Sequence, residues 1–225
     1  MRADIDLRGL VGSDVLDQGY RPTCVAFASS TAHEALQDPA SKPEHFAPEA
    51  VWWQATAAGL TSTNGMLLDD AGDALAAHGQ PALTAWPYNP RLGEATEDPP
   101  TGVVPPWRRA KLRFVPLKHD GIEESIEDEL ARSQPVILVV ELTNEFSFPG
   151  PGGIVRIPDV RASAGGYHAV TCVGAATHPA LGRLLLIKNS WGTGWGISGY
   201  CWLPVEYTVG FVVQAATIDP LQELR

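Results

Sequence analysis

The chain has 225 residues, about 24 kDa, with 44% hydrophobic and 19% charged residues. That length can bury one or two substantial cores, and the ordinary apolar fraction excludes a disordered chain. Sixteen Lys and Arg against 26 Asp and Glu leave a net charge of −10, so the surface opposes phosphate backbones, and neither nucleic acid nor a membrane is an expected partner.

The N-terminus carries charges at Arg2, Asp4, Asp6 and Arg8, and no apolar run suited to a signal peptide follows. A helix is expected from Thr23 or Cys24 to about Gln37, in an Ala-rich stretch that stops before Asp38-Pro39. A second is expected over 49–58, with Pro48 near its start, where a missing N–H costs nothing. A third, over 68–78, should stop at Gly79. The Pro-rich residues 99–106 read as a connector. Asp120 then reads as the N-cap of a helix over 121–132, with Ile122, Ile126 and Leu130 on one face. Its acids, Glu123, Glu124, Glu127, Asp128 and Glu129, read as a solvated face favoured by the helix dipole. From residue 135 the period changes. Residues 135–142, 166–174, 183–189, 200–204 and 211–218 are short, β-rich and separated by Gly or Pro. Helices first and strands later predict an α+β protein with two lobes and a cleft between them.

Cys24, at the predicted start of a helix, is the first candidate for chemistry, because helix N-terminal N–H groups favour a thiolate. Alone it reads as a buried, inert cysteine. His168 in GGYHAVTCVG, Asn189 in LLLIKNSWGTGWGISGY and Gln18 six residues before Cys24 are equally bland singly. Cys172 and Cys201 sit in apolar strands and read as core. The other histidines, His33, His45, His78, His119 and His178, lack metal-ligand spacing. No metal or cofactor is expected. Residues 194–199 match GxGxxG, but a strand follows and no βαβ unit surrounds them, so a dinucleotide site is not expected.

In that order and with those flanks, the set resembles the papain-like cysteine peptidases. DQGYRPTCVAF is similar to that family's glutamine-to-nucleophile segment, GYHAV to its histidine strand, and KNSWGTGWGISGY to its asparagine segment. FAPEAVWW and LDDAGDALAAHGQPALTAWPY resemble further helical segments of bacterial members. His168 falls 144 residues after Cys24, within the usual separation of about 130–150, and Asn189, at 165, lies beyond it. The resemblance implies one papain-like domain over 1–225. Residues 1–19 would cross to the right lobe, 20–105 form a helical left lobe, and 106–225 form a β-barrel-like right lobe.

It also implies an endopeptidase acting on a peptide or protein. Cys24 and His168 would form a thiolate–imidazolium pair with a lowered thiol pKa, oriented by Asn189 and shielded by Trp191. Gln18 and the Cys24 N–H would form an oxyanion hole. Asn64, Gly65, Met66, Tyr167 and Trp191 would line the substrate, with Met66 in place of a second glycine and Tyr167 directly before the histidine. Arg21 occupies the place of a disulfide cysteine in secreted members. Three cysteines and no framework predict a cytoplasmic protein, and the resemblance, with high Ala and Gly content and few lysines, implies a bacterial one. If Met1 is the native start, no inhibitory propeptide precedes Cys24, and a regulatory partner is expected instead, as for a toxin or defence effector. Two alternatives share the site: an acyl transferase in which an amine replaces water, and a pseudopeptidase that binds without cutting.

Overall fold

A computed structural model describes residues 2–38, 40–159 and 166–221. The first half is helical. Helix α1 (Cys24–Glu34) is buried along almost its whole length, as its small Ala and Ser side chains allow, and ends three residues short of the expected Gln37. Helix α2 (Pro48–Ala57) carries Pro48 in its first turn, and α3 (Leu68–Ala77) closes at Gly79, whose φ of +75° only glycine adopts easily. A Cβ on Gly79 would also lie 2.0 Å from the Arg108 carbonyl oxygen.

The second half builds one antiparallel sheet. Its strands are β2 (Ala110–Phe114), β3 (Val136–Glu141), β4 (Tyr167–His178), β5 (Gly182–Lys188), β6 (Tyr200–Pro204) and β7 (Val212–Pro220). The order is β2-β7-β3-β4-β5-β6, and the short β1 (Ile5–Asp6) pairs with β4 at Ala175 and Gly174, beyond the point where β3 has ended. Among the described residues β2 and β6 do not pair, so the sheet of the expected β-rich lobe runs as an open path rather than closing into a barrel.

Two cores share this sheet. On one side Ile137, Ala169, Ala216 and Ile218 pack with Ala28, Val51, Leu68 and Leu75 of α1–α3. On the other, Leu138, Val140, Val170 and Cys172 pack with Ile126 and Leu130 of α4 (Glu124–Ala131) and with Phe146, Leu203 and Tyr207. Successive residues of β3 and β4 thus enter different cores, which is why both read as continuous apolar runs.

Helix α4 departs from expectation at its start. Asp120 does not cap it; its Oδ1 accepts the Ile122 and Glu123 N–H groups, and Glu123 turns left-handed (φ 43°) before the helix begins at Glu124. The acids are not all solvated. Glu123, Glu127 and Glu129 are buried, Glu127 against Arg183 and Glu129 against Arg113. Two short helices, α5 (Asn144–Ser147) and α6 (Tyr207–Phe211), complete the fold. Cys24, Cys172 and Cys201 are all free thiols, and no described helix is long and apolar enough to cross a membrane.

Candidate active site

Cys24 is the first residue of α1. Its sulfur is partly buried, near the backbone N–H groups of Cys24 itself, of Val25, and of Ala169 on β4, the residue that follows His168. Burial pushes the thiol pKa up, and the three N–H groups oppose that rise. Thr23, at the cap position, does not cap α1; its hydroxyl pairs with the Tyr88 hydroxyl at 2.8 Å.

His168 is 3% exposed on the second position of β4. Its Nε2 lies 2.7 Å from Asn189 Oδ1, an acceptor, so Nε2 carries the proton and Nδ1 keeps its lone pair. Asn189 follows β5 directly. Its Oδ1 also takes the Ser190 N–H at 2.8 Å, while its Nδ2 is buried without a partner. Burial pulls the imidazole pKa down to about 4, against the raising effect of the Asn189 bond. The expectation of a lowered thiol pKa is therefore not met by burial and helix position alone: each charge by itself is opposed.

Aromatic rings enclose the imidazole. Trp191 stacks on it (centroids 4.5 Å, planes 29° apart), and Phe146 of α5 presents an edge at 6.2 Å. Trp195 packs on both, its Nε1–H held by the Ser147 carbonyl. The glycines of the GxGxxG stretch serve this loop. A Cβ on Gly196 (φ +57°) would lie 2.2 Å from the Tyr200 carbonyl oxygen, so the turn back into β6 needs glycine.

Gln18 is buried, with both ends of its carboxamide fixed. Oε1 accepts from the Ser190 hydroxyl at 2.6 Å, and Nε2 gives one of its two protons to the Arg21 carbonyl at 2.8 Å. The Gln18 N–H donates to the Ser190 carbonyl, joining this loop to the segment after Asn189. Gly65 (φ +101°) is buried where a Cβ would sit 3.0 Å from the Pro22 carbonyl oxygen, so residues 64–66 run beside the Cys24 loop. Asn64 is exposed. The Met66 side chain is buried in the helical core with Leu68. Tyr167 is 64% exposed. Sequence reasoning missed Phe146, which no motif marks. It also missed the Ser190 hydroxyl, which lay in plain view within KNSWG.

The model of the papain family of cysteine proteases matches residues 2–215. The chain belongs to that family. A cathepsin L-like proteinase of Fasciola hepatica is 24% identical over 189 residues, 84% of this chain and 55% of the relative. Silicatein of Petrosia ficiformis is 34% identical over 80 residues, 36% of this chain and 23% of its own. The chain thus spans from about a quarter to just over half the length of these relatives. Among solved structures, procathepsin L 3 of the Tenebrio molitor larval midgut superposes with a TM-score of 0.76 at 22% identity, covering 97% of this chain and 70% of the other. Xylellain, a cysteine protease from Xylella fastidiosa, gives 0.75 at 22%, covering 99% and 87%. Bromelain from Ananas comosus gives 0.75 at 21%, covering 98% and 100%. The papain-like fold expected from the sequence is therefore the fold of this chain.

Proposed function

We propose that this papain-family chain is a cysteine endopeptidase in a single papain-like unit, with Cys24 as nucleophile, His168 as acid and base, Asn189 as orienting residue and Gln18 in the oxyanion site. The observation that carries the reading is the Asn189–His168 bond at 2.7 Å, which leaves Nδ1 free, beside Ala169, whose backbone N–H acts to lower the Cys24 thiol pKa. The thiol proton passes to Nδ1 as substrate binds, and both charges arise together. Sγ then attacks the peptide carbonyl carbon; the new oxyanion takes the Cys24 N–H and the second Gln18 Nε2 proton. As the carbonyl re-forms, the C–N bond breaks and His168 gives its proton to the leaving amine. Water, deprotonated by His168, then cleaves the thioester. Asn189 holds the ring through both proton transfers, and Trp191 and Phe146 keep water from its faces.

An epoxide inhibitor of cysteine proteases, followed by intact mass, tests the assignment. One rapid adduct is expected on the wild type and none on Cys24→Ala; His168→Ala should label far more slowly. Gln18→Ala should still label, while its turnover of a casein digest falls by about 10²–10³. Adducts that persist in Cys24→Ala, on Cys172 or Cys201, would sink the assignment.

A further inference from the structure

Arg21 stands three residues before Cys24 with a side chain wholly out of solvent. Each of its five N–H donors is used. Nε donates to the Gly93 carbonyl (3.0 Å), Nη1 to the Asn89 carbonyl (3.0 Å) and to Glu49 Oε2 (2.5 Å), and Nη2 to Glu49 Oε1 (3.1 Å) and the Ala95 carbonyl (2.7 Å). Glu49, in the first turn of α2, also accepts the Thr96 hydroxyl at 2.7 Å. The Tyr88 ring lies 4.7 Å from the guanidinium carbon. One buried charge pair therefore ties together the loop before Cys24, the start of α2 and residues 88–97.

The same cluster reaches the reaction site by two short routes. The Arg21 carbonyl fixes Gln18 Nε2 at 2.8 Å. The Tyr88 hydroxyl donates to the Gln18 carbonyl at 2.9 Å and so accepts from Thr23 Oγ1 at 2.8 Å, immediately before Cys24. We infer that Arg21, Glu49 and Tyr88 are positioning residues: they hold the Gln18 carboxamide and the Cys24 N–H at the spacing an oxyanion requires, and touch no substrate themselves. This deepens the proposed peptidase reading and rests on it. A thiol can still react without that spacing, whereas a carbonyl whose oxygen becomes charged depends on it.

Two reagents separate these cases. A peptide aldehyde takes Sγ at its carbonyl carbon. The C–S bond forms as the π pair moves to oxygen, which occupies the oxyanion site and is protonated or held there. Iodoacetamide forms a C–S bond and expels iodide, with no oxyanion. Tyr88→Phe, which keeps the ring, is expected to bind the aldehyde about tenfold less tightly and to lose kcat by a similar factor at unchanged KM. Its iodoacetamide rate should stay within about twofold of wild type. Arg21→Lys keeps the charge but cannot fork, and should lose more on the aldehyde; if it does not fold, Tyr88→Phe carries the test alone. Equal losses with both reagents, or no loss with either, would overturn the inference while leaving the peptidase intact. Wild-type protein that forms no aldehyde adduct at Cys24 would overturn the peptidase reading itself.

Discussion

His33 lies on the last turn of α1, buried, with Nδ1 3.0 Å from Gln80 Oε1. Gln80 in turn donates to the Ser30 hydroxyl (2.6 Å) and the Ala47 carbonyl (3.1 Å), so the ring serves a closed polar network inside the helical half. Burial is the main cause that lowers its pKa to about 4 from an ordinary 6.5. Between those values the unfolded chain binds a proton that the folded chain refuses, so stability falls as pH drops from 6.5 to 4 and is flat above. His168, lowered in the same way, adds to the slope. Urea midpoints between pH 4 and 7 should show it, and His33→Gln should remove one proton's share, about 3 kcal/mol by pH 4. Single residues were the least legible scale. Cys24, His168 and Asn189 stood out because motif flanks mark them, whereas His33 looked like a stray histidine and nothing marked the Met66 side chain as core. Their roles depend on burial, which no local pattern encodes.

At the level of elements, α4 was legible as a helix and misread as a surface one. Its period-3.6 stripe gave Ile126 and Leu130 correctly but not Ile122, which precedes the helix and is exposed, and Glu127 beside them read as solvated because its partner lies far along the chain. Arg183, at the start of β5, gives Nε and Nη2 to Glu127 Oε2 (2.9 and 2.7 Å), Nη1 to Asp4 (2.9 Å) and Nη2 to the Ala3 carbonyl (2.7 Å). It thereby fastens the N-terminal segment to α4 across the end of the sheet. Arg183→Met would strand Glu127 as a buried, unpaired charge, and a loss of about 3–5 kcal/mol is expected in urea unfolding. Arg183→Met combined with Glu127→Leu should recover much of that loss. Strand β2 was missed for a related reason. AKLRF is short, with Lys111 and Arg113 between its apolar residues, and becomes a strand by pairing with β7 and by resting Leu112 against Gly72 of α3, where a Cβ would lie 2.9 Å from that of Leu112.

Across the whole molecule, the helical half and the α4 side meet through one sheet rather than across a linker. Ile137 and Leu138 are neighbours on β3, yet the first belongs to the core with α1–α3 and the second to the core with α4. Neither core can be dismantled without unpairing strands that the other needs. Unfolding is therefore expected to be a single transition, with far-UV and tryptophan signals coincident. Ile137→Ala and Leu138→Ala should each cost about 2–5 kcal/mol and shift that one transition without splitting it; two resolved steps in either variant would contradict the shared-sheet account. The α+β class and the helix-then-strand order were legible because hydrophobic period changes near residue 135. The open edge-to-edge path of the sheet was not, since strand pairing is a long-range choice.

Strand β4 carries His168 beside Val140, Ala169 toward α1, and Val170 and Cys172 toward α4, with β3, β5 and β1 all bonded to it. It behaves as a ruler graduated in steps of two. A slip of one residue would carry Ala169 or Tyr167 into the histidine's place and turn Val170 out of its core. A slip of two would preserve the faces but move the imidazole about 7 Å, beyond any bond to Asn189. Alignment of His168 with Asn189 is thus digital: the packing that permits the chain to fold admits one setting of the ruler, and in that setting the histidine is already in place.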